Sequence, residues 1–232
     1  MRITWLGESG FILESGNTRI LLDPYLSNSL GICDPAKSRI LPVQENFLSL
    51  NYDLLLFTHW HVDHTDTETV KLLLKHNNRL LMAGPCSSYN VVRPFIQSAM
   101  FFKLTIDSVV RSGDFEITAL PAIHSDQYAL GFKICVEEKT LYFSGDTALL
   151  CGLQERVPKQ PDIAFLCFNG GMGKNMDISD ALRLSKEIRP KLVVPAHYGI
   201  IPSGTDVVDF IRAFEKEGIF VQLPEYCNSW SI

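Results

Sequence analysis

The sequence predicts an α/β protein in which two packed β-sheets carry helices on their outer faces. Two observations predict it. Short, continuous apolar runs recur along the chain, the pattern of strands covered on both sides. Hairpin-like pairs of runs open each half, and segments with helical spacing alternate with strands later, which suits sheets flanked by helices.

Taken in order, RITWLG (2–7), GFILES (10–15) and TRILLD (18–23) read as strands, followed by DLLLFT at 53–58 and RLLMAG at 79–84. FEITALPA at 115–122 comes next, then YALGFKICV and TLYFSGD, joined as a hairpin through EEK. DIAFLCF (162–168), KLVVPA (191–196) and IFVQL (219–223) complete the strand set. Helices fall between them. Thr65 and Glu68 fit a capping box opening DTETVKLLLKH. ALLCGLQERV at 148–157, DISDALRLSKEI with Asp177 as N-cap and Pro190 as stop, and TDVVDFIRAFEKE show helical spacing.

The 232 residues are 46% hydrophobic and 20% charged, ordinary values for one soluble domain, and no linker, repeat or low-complexity tract divides them. A single domain over 1–232 is therefore expected. The net charge of −5 and the lack of a basic cluster disfavour nucleic acid as a partner. MRITWLGESG lacks the charged and apolar regions of a signal peptide, and no apolar run is long enough to span a membrane. The expected compartment is the cytoplasm, with no membrane partner. Six cysteines lie scattered in apolar surroundings without a C-x-x-C pair, which reads as buried thiols.

The stretch FTHWHVDHTD at 57–66 gathers His59, His61, Asp63 and His64 where a strand ends and a helix begins. Chance produces H-x-H-x-D-H in roughly one such chain in a few thousand. In an extended or turning loop His59 and His61 project together, and Asp63 and His64 point to an adjacent position, so one loop offers ligands to two neighbouring cations. His124, Asp146 and His197 each follow an apolar run closely, the place where side chains from separate strands meet at one sheet edge. His76, near a helix end, is expected at the surface.

With this order of histidines and aspartates the chain resembles the metallo-β-lactamase superfamily over nearly its whole length. The resemblance implies a four-layer αβ/βα sandwich with the metals at one edge. It implies that His59, His61 and His124 bind one ion, that Asp63, His64 and His197 bind a second, and that Asp146 bridges both. Asp63 and Asp23 are then catalytic residues, Asp23 acting from beneath by fixing the tautomer of a ligand histidine. Imidazole and carboxylate donors without thiolate suit two divalent ions, Zn²⁺ first, with Mn²⁺ or Fe²⁺ compatible. Thr65-Asp66 stands where thiolesterase and β-lactamase branches continue with Gly-Gly. FNGGMGKNMDISDALRLSKEIRPKLVVPAHYG instead resembles the branch of L-ascorbate-6-phosphate lactonase and N-acyl-phosphatidylethanolamine phospholipase D.

The activity so implied is dinuclear hydrolysis, a metal-bridging hydroxide attacking a small anionic ester, lactone or phosphoester. Trp60, Ser125, Asn169, Lys174 and Tyr198 are the candidate substrate contacts, with Asp126 and Gln127 beside Ser125. The glycine-rich loop at 169–174 is a candidate lid. Two alternatives stand beside this reading: a phosphodiesterase or ribonuclease of the same fold, and a non-catalytic metal-binding protein. Relatives in this branch assemble into homo-oligomers, so self-association is compatible with the resemblance.

Overall fold

Strands form where both faces of a run find cover. In the computed structural model, which describes residues 1–97, 100–150, 152–170, 175–202 and 206–232, the chain opens with β1 (Arg2–Gly7), β2 (Gly10–Ser15) and β3 (Thr18–Leu22). A short α1 (Ser29–Cys33) follows, then β4 (Leu54–Leu56), α2 (Thr67–His76), β5 (Leu81–Gly84), α3 (Cys86–Val92) and β6 (Phe101–Lys103). Next come β7 (Val109–Ser112), β8 (Phe115–Pro121), β9 (Leu130–Val136), β10 (Lys139–Phe143) and α4 (Leu153–Arg156). The chain closes with β11 (Ile163–Cys167), α5 (Ile178–Ile188), β12 (Leu192–Ala196), α6 (Val207–Lys216) and β13 (Ser229–Ser231).

One sheet has the order β13-β1-β2-β3-β4-β5-β6 and the other β12-β11-β10-β9-β8-β7. Both are mixed: β1 to β3 and β7 to β10 pair antiparallel, while β3 to β6 and β10 to β12 pair parallel. Alternation along β3 shows how the layers arise. Ile20 and Leu22 turn into the core between the sheets, and Leu21 turns outward to a second core with Val70 and Leu73 of α2. Phe11 joins the sheets, its ring 5.9 Å from Phe143 and 4.8 Å from Phe165. On the far face Ala181, Leu184, Ile188, Phe210 and Phe214 of α5 and α6 close the outer layer. The expected sandwich of two sheets with helices outside is what forms.

The structure departs from the expectation in places. Asp66, not Thr65, caps α2, its carboxylate accepting from the backbone N–H of Glu68 and Thr69; the Thr65 hydroxyl is committed to His59 O and Ser88. The helix expected over 148–157 shrinks to Leu153–Arg156, because Gly152 turns left-handed (φ 93°) and Ala148 N is drawn to Ile123 O. The strand expected at 219–223 is a single bridge, Val193 to Val221: Phe220 and Leu223 face solvent and Pro224 offers no donor. Of the cysteines, Cys167 is buried but Cys33 is exposed, and Cys151 lies outside the described residues. The 137–138 turn is as expected, with Glu137 (φ 49°) and Glu138 (φ 61°) both left-handed as a tight two-residue hairpin requires. Among the described residues no helix is long and apolar enough to cross a membrane.

Replacing Phe11 by Ala removes an aromatic side chain that is 1% exposed and bridges the sheets. The expected loss is about 3–5 kcal/mol, read as a lower urea midpoint at unchanged slope.

Candidate metal centre

The C-terminal ends of strands supply the site. Asp23 follows β3, Thr58 to His64 follow β4, His124 follows β8, Asp146 follows β10, Asn169 follows β11 and His197 follows β12. After β4 the chain cannot continue in the sheet, because His64 N and Thr65 N both donate to His61 O and turn it into α2. The Thr65 hydroxyl closes that turn on His59 O at 2.6 Å. Gly145 brings the Asp146 loop against it: at φ 57° a Cβ would lie 2.8 Å from Leu130 O and 3.0 Å from Thr58 Cγ2.

Three histidines converge first. His59 Nε2 lies 3.0 Å from His61 Nδ1, which lies 3.1 Å from His124 Nε2. Beside them His197 Nε2 is 3.2 Å from Asp63 Oδ2, and His64 Nε2 is 3.7 Å from the same oxygen. Asp146 stands between the two groups, 3.4 Å from His64 Nε2, 3.2 Å from His197 Nε2 and 3.8 Å from His124 Nε2. All seven candidate donors therefore come together: His59, His61 and His124 form one group, Asp63, His64 and His197 another, and Asp146 groups with His59 and His64 between them.

The far sides of the rings are held by the chain. Asp23 is fully buried; its Oδ2 accepts from His64 Nδ1 (2.7 Å) and from the Thr58 hydroxyl (2.5 Å), and its Oδ1 accepts from Thr58 N (2.8 Å). His59 Nδ1 is 3.0 Å from that same hydroxyl. Glu8, 2% exposed, accepts from Ile200 N and Ile201 N through Oε1 and sets Oε2 3.3 Å from His197 Nδ1. The Asn169 amide is 3.0 Å from the same nitrogen, and Asn175 donates to Asp146 (2.8 Å) and Asn169 (2.9 Å). Glu8 (φ 48°), Asp23 (φ 36°) and His197 (φ 64°) all adopt left-handed backbone. Such conformations cost on the order of 1 kcal/mol each and persist only where neighbours over-determine them. Here Asp23 N donates to Leu56 O, His197 N to Glu8 O, and Glu8 N to Tyr198 O.

Burial pushes His59, His61 and His124 below the usual histidine range, so their nitrogens keep lone pairs. Burial also opposes charge on His64 and His197, but Asp146 and Asp63 prevail: His64 is raised to about 10, and His197 goes up in the same direction. Asp63 and Asp146 are held low by those histidines, against burial. The cluster thus draws in positive charge. It also has the shape for cations: His64 Nε2 and Asp146 Oδ1 are buried, face each other and have no hydrogen-bond partner among the described residues. Nitrogens sharing one tetrahedral ion at 2.0–2.1 Å stand about 3.3 Å apart, close to the spacings here. The residues fit divalent ions.

The outlying candidates divide. The Ser125 hydroxyl reaches the outer nitrogen of His61 at 3.2 Å. Trp60 does not pack beneath the loop; it is 45% exposed, meets the His61 ring edge-on at 4.8 Å, and walls a hollow of about 490 Å³ with Leu30, Ile32 and Val62. Tyr198 is buried under the site, stacked on Trp5 at 4.5 Å and beside Phe168, rather than facing a substrate. Asp126 is structural too: it accepts from Ser87 Oγ (2.6 Å), Tyr128 N (2.9 Å) and Trp60 N (3.3 Å), tying the histidine loop to α3. Lys174, and with it most of the proposed lid, lies outside the described residues. Glu8, Thr58 and Asn175 were not foreseen. Thr58 directly precedes the motif; Glu8 and Asn175 carry no local signal.

Residues 2–197 match the model of the β-lactamase superfamily domain. The UPF0173 metal-dependent hydrolase of Pyrobaculum islandicum is 30% identical over 232 residues, 97% of each chain. The chain belongs to the β-lactamase superfamily, among its metal-dependent hydrolases. Igni18, a metallo hydrolase from Ignicoccus hospitalis, superposes with a TM-score of 0.78 at 24% identity, covering 100% of this chain and 98% of that one. The isothiocyanate hydrolase from Delia radicum gut bacteria gives 0.79 at 19% identity, covering 100% and 99%. These two likenesses bear on the fold alone.

Asp126→Ala strands Ser87 Oγ and two backbone N–H groups. A destabilisation of about 1–3 kcal/mol is expected, visible as a lower thermal midpoint of the metal-free protein.

Proposed function

We propose that this enzyme hydrolyses a small ester, lactone or phosphoester using two divalent cations. His59, His61 and His124 would hold one ion, Asp63, His64 and His197 the other, and Asp146 both. The observation that carries the reading is the convergence of these seven side chains, with two buried donor atoms left facing each other. Ions bound there would supply water that is reactive at neutral pH and a Lewis-acid contact for the substrate's carbonyl or phosphoryl oxygen. The all-nitrogen-and-oxygen donor set favours Zn²⁺ and accommodates Mn²⁺ or Fe²⁺.

The chain's own residues do the rest. Asp23 keeps a proton on His64 Nδ1, and the Thr58 hydroxyl, which donates to Asp23, would accept from His59 Nδ1, so that once a cation displaces the His64 Nε2 proton both Nε2 atoms would offer lone pairs inward. Ser125 and Trp60 border the half-exposed His61, where a substrate would enter. The anionic or carbonyl end of the substrate would meet the cations, and an apolar flank would lie against Trp60, Ile32 and Val62. Ser29 and Asp66, which also line that hollow, are bonded to each other, and Asp66 accepts from Thr69 as well.

Reconstitution with Zn²⁺ or Mn²⁺, elemental analysis and a screen of phosphorylated lactones, esters and phosphodiesters test the proposal. Two equivalents and turnover are expected, with His61→Ala losing about one equivalent and at least about a hundredfold in rate. A protein that takes up no transition metal, or whose uptake His61→Ala leaves unchanged, would refute it. Trp60→Ala is expected to raise KM about tenfold with kcat within about twofold, the mark of lost binding rather than lost chemistry.

A further inference from the structure

The two groups of donors are backed differently. Behind the Asp63, His64 and His197 group lie two buried carboxylates, Asp23 at 2.7 Å from His64 Nδ1 and Glu8 at 3.3 Å from His197 Nδ1, the latter nitrogen also meeting the neutral Asn169 amide at 3.0 Å. Behind the three-histidine group lie neutral hydroxyls or nothing. His59 Nδ1 meets Thr58 Oγ1 at 3.0 Å and reaches Asp23 only through it; His61 Nε2 meets Ser125 Oγ at 3.2 Å. His124 Nδ1, though buried, has no partner among the described residues. Asp63 adds a further carboxylate to the first group, while Asp146 is shared. One position therefore has four carboxylates touching its donors or one atom behind them, and the other has the shared one.

We infer that the two cation positions are unequal: the one bounded by Asp63, His64 and His197 fills first with Mn²⁺, and Glu8 is a positioning residue that sets its affinity. The inference rests on the two-cation reading above. Its physics is direct. A carboxylate accepting from the outer nitrogen of a ligand histidine fixes the ring and raises its basicity, and such partners typically alter metal affinity about 10- to 100-fold. Carboxylate-rich surroundings also suit Mn²⁺ better than three neutral imidazoles do. Glu8 is placed for this by its surroundings. It is buried, it adopts left-handed backbone, and among the described residues the group of opposite charge within ion-pair reach of its carboxylate is His197. Its other oxygen and its backbone clamp Ile200, Ile201, His197 and Tyr198. An uncompensated carboxylate so buried would be costly, and a cation-bound His197 donating from Nδ1 relieves it.

The test is a titration of metal-free protein with Mn²⁺, free ion being counted by its electron paramagnetic resonance signal. Wild type should bind in two steps whose dissociation constants differ at least about tenfold. His61→Ala should keep the tight step and lose the weak one. Glu8→Gln, which preserves shape and an acceptor, should weaken the tight step about 10- to 100-fold and leave the weak one within about threefold. Asp23→Asn tests the same ordering without touching Glu8 and should also weaken the tight step. Two indistinguishable steps, loss of the tight step in His61→Ala, or a Glu8→Gln titration identical to wild type would overturn the inference while leaving the hydrolase reading intact. No Mn²⁺ or Zn²⁺ uptake at all would remove the two-cation reading itself.

Discussion

The constraint on which this structure turns is buried negative charge. Glu8, Asp23 and Asp146 are withdrawn from water, with the partly exposed Asp63 beside them. Isolated carboxylates in such a place would cost several kcal/mol apiece, so positive charge must reside among them. Without a cation, the raised His64 and His197 meet that need, while burial holds the other three histidines of the site, His59, His61 and His124, below the usual range. A divalent ion does the same task while displacing a proton, which ties the electrostatics of the resting protein to the chemistry proposed for it.

Holding five imidazoles and their carboxylates at fixed spacing requires a stiff support. Two sheets provide it, packed through Phe11, Phe143 and Phe165, and all seven candidate donors lie in loops that leave the C-terminal ends of strands. The same edge also carries local backbone strain. Three non-glycine residues in left-handed backbone (Glu8, Asp23 and His197) meet there, each pinned by a backbone hydrogen bond from a neighbouring strand end or from each other's loop. Sheets rigid enough to carry that strain are what convert scattered donors into one centre.

Much of this was legible in the sequence, for identifiable reasons. Continuous apolar runs marked strands buried on both faces, and a dense motif after β4 announced the site, with His124, Asp146 and His197 found by their place after other runs. Asp23 was legible through resemblance as an aspartate beneath a site histidine, and the structure identifies that histidine as His64. Glu8 was not, because a glutamate in a β-hairpin turn reads as a solvent-facing residue, and only the packing of the 197–201 loop on that turn makes it a partner of His197. Tyr198 misled for the complementary reason: it follows a site residue in sequence, but the left-handed turn at His197 sends its ring inward onto Trp5. Thr65 and Asp66 exchanged roles because the threonine hydroxyl was drawn to His59 O, leaving the aspartate to cap α2. Short edge elements such as β6, β7 and β13 escaped notice because three or four residues carry too little pattern.

Anomalous diffraction from crystals of the Mn²⁺- or Zn²⁺-loaded protein, collected at the absorption edge of the metal, tests the central claim most directly. Two peaks about 3.5–4 Å apart are expected, one against His59, His61 and His124 and the other against Asp63, His64 and His197, with the Asp146 carboxylate between them. A single peak away from Asp146, or none within reach of these side chains, would contradict it.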